Sequence, residues 1–368
     1  MKIVVDSKIP YIRGFAEKLG ETFYVDGTDI SANTVQDADA LIIRTRTHCN
    51  RQLLENSKVK FIATATIGYD HLDTDWLAKA GIKWTNCPGC NASSVGQYVR
   101  NVLLLLAGHG CWQNGVTLTA PQVPAPPLDR SVFGKLTLGI VGVGHVGQCV
   151  WKMAQELGFG RIMLCDPPLA ESGKCNYSFH TLREVAENSD VVTFHTPLTH
   201  REDSVPYPTF HLADEKFFHY LRPHAVLINT CRGEVVKTEA LKQALSDGTL
   251  HAAIIDTWEN EPYIDHQLLH EAYIATPHIA GYSADGKASG TRMALQAVAR
   301  FFGREESPFQ QVCAPTLPRD FIYFPEGNGW RMSSELKLYD PTRDSLALKQ
   351  SPDQFEYLRG HYPLRREQ

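Results

Sequence analysis

Leu138-Gly139-Ile140-Val141-Gly142-Val143-Gly144-His145-Val146-Gly147 runs from an apolar stretch straight into three glycines at G-x-G-x-x-G spacing. Beyond it Val150, Met153 and Leu157 recur at helical intervals, so the glycines occupy a strand-to-helix turn, the one context in which the pattern carries chemistry. There the first glycine makes the tight turn, the second lets a pyrophosphate approach the backbone, and the third lets helix pack on strand. His145 and Val146 open the helix, whose free N–H groups and positive end favour an anion. Asp166 follows at the end of the next apolar run, 19 residues after Gly147. A carboxylate there accepts from ribose hydroxyls and repels a 2'-phosphate, so NAD is the expected cofactor, in preference to NADP.

Outward from this turn the chain alternates short β-rich runs with helical patterns. Runs at 138–143, 161–165, 191–194, 225–229, 253–256 and 273–276 predict a six-stranded doubly wound parallel sheet of Rossmann type. A second series precedes it, at 2–5, 40–43, 61–64 and 83–86. Val95, Val99, Val102, Leu103 and Leu106 then predict a long helix leaving the first domain. Pro121, Pro124, Pro126 and Pro127 predict a loop within 108–133. Helical periodicity returns over 283–302, and the composition then turns Pro-rich and charged.

Three patterns stand at the carboxyl ends of the later predicted strands, where open α/β sheets bind ligands. They are Asn229-Thr230-Cys231-Arg232-Gly233, Asp256-Thr257-Trp258-Glu259-Asn260-Glu261-Pro262 and Thr276-Pro277-His278-Ile279-Ala280-Gly281-Tyr282. Oxidising a 2-hydroxy acid needs a clamp for the carboxylate, a base for the hydroxyl proton, and a nicotinamide beside the C2 hydrogen. Arginine's planar fork meets a carboxylate bidentately and stays charged, which suits Arg232 to the clamp. Histidine titrates near about 6.5, and a carboxylate on its other nitrogen orients the ring, which suits His278 to the base and Glu261 to its tuning.

In that order, glycine turn, Arg-Gly, Asp-x-Trp-Glu-x-Glu-Pro and Pro-His-Ile-Ala-Gly, the chain resembles the D-2-hydroxyacid dehydrogenase family over roughly residues 1–303. The resemblance implies that the NAD domain (99–282) is inserted into a flavodoxin-like substrate domain (1–98 and 283–303), with a cleft that closes on the substrate. It also implies that Asp256 holds the nicotinamide carboxamide, and that Thr196, Thr230, Cys231, Arg232 and Gly281 border the cofactor. Within the family, 63–71, 88–92, 164–168, 194–198, 278–282 and the tail segments 338–344 and 361–366 resemble one branch. That branch oxidises the 2-hydroxyl of 4-phospho-D-erythronate in vitamin B6 biosynthesis and carries a small C-terminal α+β dimerisation domain, here 304–368. The resemblance implies a homodimer, and substrate contacts from Thr45, Thr66 and Tyr282. Ile67 and Tyr69 depart from it, standing where smaller residues are expected. Arg44 and Arg46, two apart after an extended run, are the leading readers of the phosphate, with Arg343, Arg365 and Arg366 next. The alternatives are a related substrate such as 3-phosphoglycerate and, in another class, an NAD-sensing corepressor-like binding protein.

Bulk properties narrow the partners. Among 368 residues, 36 basic and 41 acidic side chains are scattered along the chain, without a stripe that would attract nucleic acid. No run approaches the about 20 apolar residues that span a bilayer. Nine irregularly spaced cysteines fit a reducing, cytoplasmic setting. Cys87-Pro88-Gly89-Cys90 reads as a turn, and no metal set is expected.

Overall fold

Short, mostly apolar runs become parallel strands, most of them covered on both faces, the outcome their lack of polar alternation predicts. The computed structural model describes residues 1–112, 130–203, 205–316 and 334–367. The chain divides into two compact units. One takes in the described residues of Met1–Ala92 and Tyr282–Pro318 with Glu367; the other takes in those of Ser93–Gly281 and Arg319–Arg366.

In the first unit β1 (Lys2–Asp6), β2 (Glu21–Val25), β3 (Ala40–Ile43), β4 (Phe61–Thr64) and β5 (Lys83–Thr85) form a parallel sheet in the order β2-β1-β3-β4-β5. This is the flavodoxin-like order. Helix Ala284–Phe301 packs Ala294, Leu295 and Val298 on one face; Val35, Leu54 and Leu77 cover the other. β2 was not among the expected strands. Among the described residues it pairs with β1 alone, and its residues are half-buried or exposed, so no buried run advertises it.

In the second unit β6 (Thr137–Val141), β7 (Arg161–Cys165), β8 (Val191–Phe194), β9 (Ala225–Asn229), β10 (Leu250–Ile255) and β11 (Ile274–Ala275) form the six-stranded parallel sheet, ordered β11-β10-β9-β8-β6-β7. A parallel bridge between Leu164 and Phe179 adds one rung outside β7. The winding reverses between β6 and β8, and the glycine turn lies at that switch point.

The predicted long helix spans Ala92–Gly108, and the division between the units falls at its first turn, earlier than the expected boundary after 98. Burying its Tyr98, Val99, Val102, Leu103 and Leu106 stabilises the unit by roughly 1.5–3 kcal/mol for each large side chain. The described tail holds helices Ser334–Leu338, Pro341–Gln350 and Phe355–Gly360, and no strand among its described residues. Leu336, Tyr339, Leu348 and Phe355 join the apolar clusters around the six-stranded sheet, so this part of the tail is not set off as a unit of its own. Pro121, Pro124, Pro126 and Pro127 lie outside the described residues, as does the apolar tail stretch Phe321, Ile322, Tyr323, Phe324 and Trp330. No described helix is long and apolar enough to cross a membrane. Cys87 and Cys90 flank a turn in which Gly89 has φ +78°, and both thiols are unpaired.

Candidate active site

The glycine turn is tight for reasons internal to the protein at two of its three glycines. Gly142 has φ +89°, and a Cβ there would lie 2.7 Å from the His195 carbonyl; at Gly147 a Cβ would lie 2.0 Å from the Gly142 oxygen. Gly144 differs, since a Cβ would meet nothing within 4 Å. That open side, at the N-cap of helix His145–Leu157, is the room a pyrophosphate needs against free backbone N–H groups, so the turn fits a dinucleotide.

Asp166 stands at the end of β7 beside this turn. Its Oδ2 accepts from Val143 N at 2.8 Å, and its Oδ1 accepts from Leu169 N at 2.9 Å as the N-cap of helix Pro167–Glu171. The carboxylate therefore braces the turn and caps a helix, two tasks that spacing alone did not reveal. From the turns after β8 and β9, Thr196 Oγ1 comes within 3.9 Å of Cys231 Sγ, and Thr230 Oγ1 within 3.3 Å of His195 Nδ1. Burial pushes the Cys231 thiol up, which keeps it neutral.

Arg232 follows β9 in a turn shaped by Asn229. The Asn229 Oδ1 accepts from Cys231 N at 3.2 Å, its Nδ2 donates to Arg232 O at 2.9 Å, and Arg232 Nη1 donates to Cys231 O at 2.8 Å. Gly233 is required next: a Cβ there would lie 1.9 Å from the Trp258 carbonyl carbon. The Arg-Gly pair thus marks a place where two backbone segments touch.

The two glutamates of the next turn part company. Glu259 meets His211 Nε2 at 2.7 Å and accepts from Thr238 N at 2.7 Å, both structural contacts. Glu261 meets His278 Nδ1 at 2.8 Å through Oε2 and 3.1 Å through Oε1, and its Oε1 accepts from Trp258 N at 2.9 Å. Burial pushes its carboxyl up, but His278, Arg359 and the Trp258 amide outweigh that and hold it below the ordinary value. A carboxylate on Nδ1 leaves Nε2 as the nitrogen for a substrate proton.

His278 has φ +56°, an uncommon conformation for a non-glycine residue, and the turn around it is anchored by buried Asp256. Asp256 Oδ1 accepts from Thr276 Oγ1 at 2.7 Å and Ile279 N at 2.8 Å, and Oδ2 from Ala280 N at 3.0 Å. Burial raises its carboxyl above the usual range. Tyr98 supports the same anchor, its hydroxyl 2.8 Å from Thr276 Oγ1. Because β9, β10 and β11 are neighbours, the turns carrying Arg232, Glu261 and His278 come out side by side.

Sequence reasoning missed what holds the His278 turn from outside. Arg365, 1% exposed, donates to Gln97 Oε1 at 2.8 Å, Ile279 O at 3.0 Å, Ala280 O at 2.5 Å and Ser94 O at 3.2 Å, and stacks 4.1 Å from the Tyr339 ring centre. Its buried guanidinium is taken up by three backbone carbonyls and the Gln97 side chain, which corrects the expectation that it reads a phosphate. Arg359 Nη1 lies 3.4 Å from Glu261 Oε2. The hydrogen-bonded partners named here are separated by 85 residues or more, so no local pattern could have named them.

In the first unit, Arg44 follows β3 with its Nε 3.0 Å from Oδ2 of fully buried Asp6, so an acid already shares its charge. Thr45 and Arg46 beside it are exposed. Thr66 Oγ1 lies 2.7 Å from Thr64 Oγ1 and donates to Gly68 O at 2.9 Å, while Thr64 Oγ1 meets buried His71 Nε2 at 3.0 Å. Burial pulls the His71 imidazole down to about 4, so the loop is braced by a neutral ring. Tyr69, larger than expected, packs on Trp84 with ring centres 5.0 Å apart. Lys287 Nζ sits 3.9 Å over the Tyr282 ring.

Residues 123–280 match the family described as "D-isomer specific 2-hydroxyacid dehydrogenase, NAD binding domain", and NAD is the cofactor. A protein of Bacteroides thetaiotaomicron named erythronate-4-phosphate dehydrogenase is 48% identical, over 100% of this chain and 97% of its own length. One of the same name from Porphyromonas gingivalis is 40% identical, over 100% and 94%. Among solved structures, the TT0316 protein of Thermus thermophilus covers 83% of this chain and 98% of its own at 28% identity, TM-score 0.63. D-Lactate dehydrogenase of Aquifex aeolicus, complexed with NAD and lactic acid, covers 86% and 100% at 22% identity, TM-score 0.62, a likeness of fold. With this sheet order, a glycine turn open on one side and a Glu261–His278 pair on neighbouring turns, the chain belongs to the D-isomer-specific 2-hydroxyacid dehydrogenase family.

Proposed function

We propose that the enzyme oxidises the 2-hydroxyl of 4-phospho-D-erythronate to (R)-3-hydroxy-2-oxo-4-phosphooxybutanoate on the route to pyridoxal 5'-phosphate. The observation that carries this reading is 40–49% identity, along the whole chain, with dehydrogenases named for erythronate 4-phosphate. His278 Nε2 takes the hydroxyl proton, Glu261 orients the ring and stabilises the imidazolium, and Arg232 clamps the carboxylate. Hydride acceptance from C2 is the chemistry that bound NAD supplies. Gly142, Gly144, His145, Val146, Gly147 and Asp166 hold its phosphates and ribose, and Thr196, Thr230, Cys231, Asp256 and Gly281 border the rest.

Thr45, Thr66 and Tyr282 contact the substrate, with Arg44 and Arg46 reading its phosphate; Asp6 fixes the direction of Arg44. Residues 304–368 mediate a homodimer, which light scattering of a chain ending at Gly303 tests by loss of the dimer. Nine cysteines, none of them in a disulfide, suit a cytoplasmic setting. The deciding experiment is NAD-dependent turnover over a panel of 2-hydroxy acids. Erythronate 4-phosphate should give the highest kcat/KM, and a higher value on 3-phosphoglycerate would replace this reading. Arg44→Ala and Arg46→Ala should lose efficiency on the phosphorylated substrate and not on an acid lacking phosphate.

A further inference from the structure

We propose that Arg359, on the C-terminal helix Phe355–Gly360, is a positioning residue that holds Glu261 ionised against His278 and sets the pH at which the base becomes available. The proposal rests on the reading of His278 as the base.

Glu261 Oε2 is shared by two cationic partners: His278 Nδ1 at 2.8 Å and Arg359 Nη1 at 3.4 Å. The other oxygen takes the Trp258 amide. A lone carboxylate beside an imidazole favours the imidazolium, and a base held protonated cannot take a hydroxyl proton. A guanidinium on the same oxygen opposes this in two ways. It draws part of the carboxylate's field away from the ring, and it keeps Glu261 from taking a proton itself, because arginine does not titrate in the working range. Glu261 and Arg359 are only 17% and 25% exposed, so solvent screens the contact less than it would a surface pair.

Asp256 lies beneath the His278 turn, bonded to Ile279 N and Ala280 N. Arg365 lies on the outer side, bonded to the carbonyls of the same two residues. Glu356, one turn before Arg359, is 3.7 Å from its Nη1 and 39% exposed, and offsets part of its charge. Asp256 and Arg365 serve the turn's backbone; Arg359 is the cation on the carboxylate itself.

The test is the acidic limb of the kcat/KM profile for Arg359→Met, Arg359→Lys and Glu356→Gln, beside His278→Gln as control. Removing the cation should move the limb of Arg359→Met to higher pH by roughly half a unit to one unit. Arg359→Lys should return it most of the way, and NAD binding should be unchanged in both. Glu356→Gln, a change at a partly exposed site, should move the limb the opposite way and keeps the proposal testable if Arg359→Met folds poorly. A limb that stays in place in Arg359→Met and Glu356→Gln, or that moves equally with Met and Lys, overturns the proposal. Should His278→Gln keep normal turnover, the reading of the base fails instead, which distinguishes the two.

Discussion

Replacing Glu261 by glutamine keeps the shape of the side chain and removes its charge, and the contacts around it say how the amide must turn. Arg359 and the His278 Nδ1–H both require an acceptor at the Oε2 position, so the amide oxygen goes there. The NH2 group then faces the Trp258 N–H across what was a 2.9 Å hydrogen bond, donor against donor. One buried backbone donor is left unpaired, costing about 1–3 kcal/mol. For the proposed chemistry, the charge-assisted bond between the His278 imidazolium and the carboxylate contributes about 1.5–3 kcal/mol. Loss of the carboxylate's charge is expected to move the acidic limb of Glu261→Gln to lower pH. The plateau should also fall, by about 10- to 100-fold, because proton transfer to a less basic, less firmly held ring is slower. NADH formation measured across the limb reads both effects. A limb that stays put or moves upward would refute the coupling of Glu261 to the base.

Because the Glu261 carboxyl is held below its ordinary value in the fold, its stabilising contribution is fully present above the unfolded value of about 4.3 and is lost as pH falls through the folded one. Glu261→Gln should therefore be less stable than wild type near neutrality, by a gap that narrows in acid toward the pH-independent cost of the unpaired Trp258 amide, as denaturant unfolding at several pH values would show. Gly233→Ala should cost about 3 kcal/mol or more, since its Cβ would sit 1.9 Å from backbone and no side-chain rotation relieves that; an unchanged Tm would contradict the geometry. Asp166→Ala should lose about 0.5–2 kcal/mol with its helix cap and also raise the NADP to NAD efficiency ratio; a fall in stability with no change in that ratio would assign ribose reading elsewhere. Arg365→Met leaves the carbonyls of Ser94, Ile279 and Ala280 without their donor, and should cost about 3–5 kcal/mol by thermal unfolding.

Local chemistry made much of this legible before any coordinates. The turn from Gly142 to Gly147 is an affair of six residues, and its steric demands show directly as glycine. Strands buried on both faces show as short, mostly apolar runs because few polar groups find partners there, which is why β3, β4 and β6 to β9 stand where the pattern put them. β2 escaped for the converse reason: an edge strand needs no apolar run. The motifs paired Glu261 with His278, and sheet order accounts for the contact by setting the turns after β10 and β11 side by side; that Glu259 meets His211 instead was not readable from spacing. The same holds for Asp6 beside Arg44, and for Arg359 and Arg365 at the turns after β10 and β11. Periodicity and turn chemistry report what a residue does within a few positions of itself. Contacts across 38 or 98 residues depend on how strands are ordered and loops close, and only the folded chain decides that.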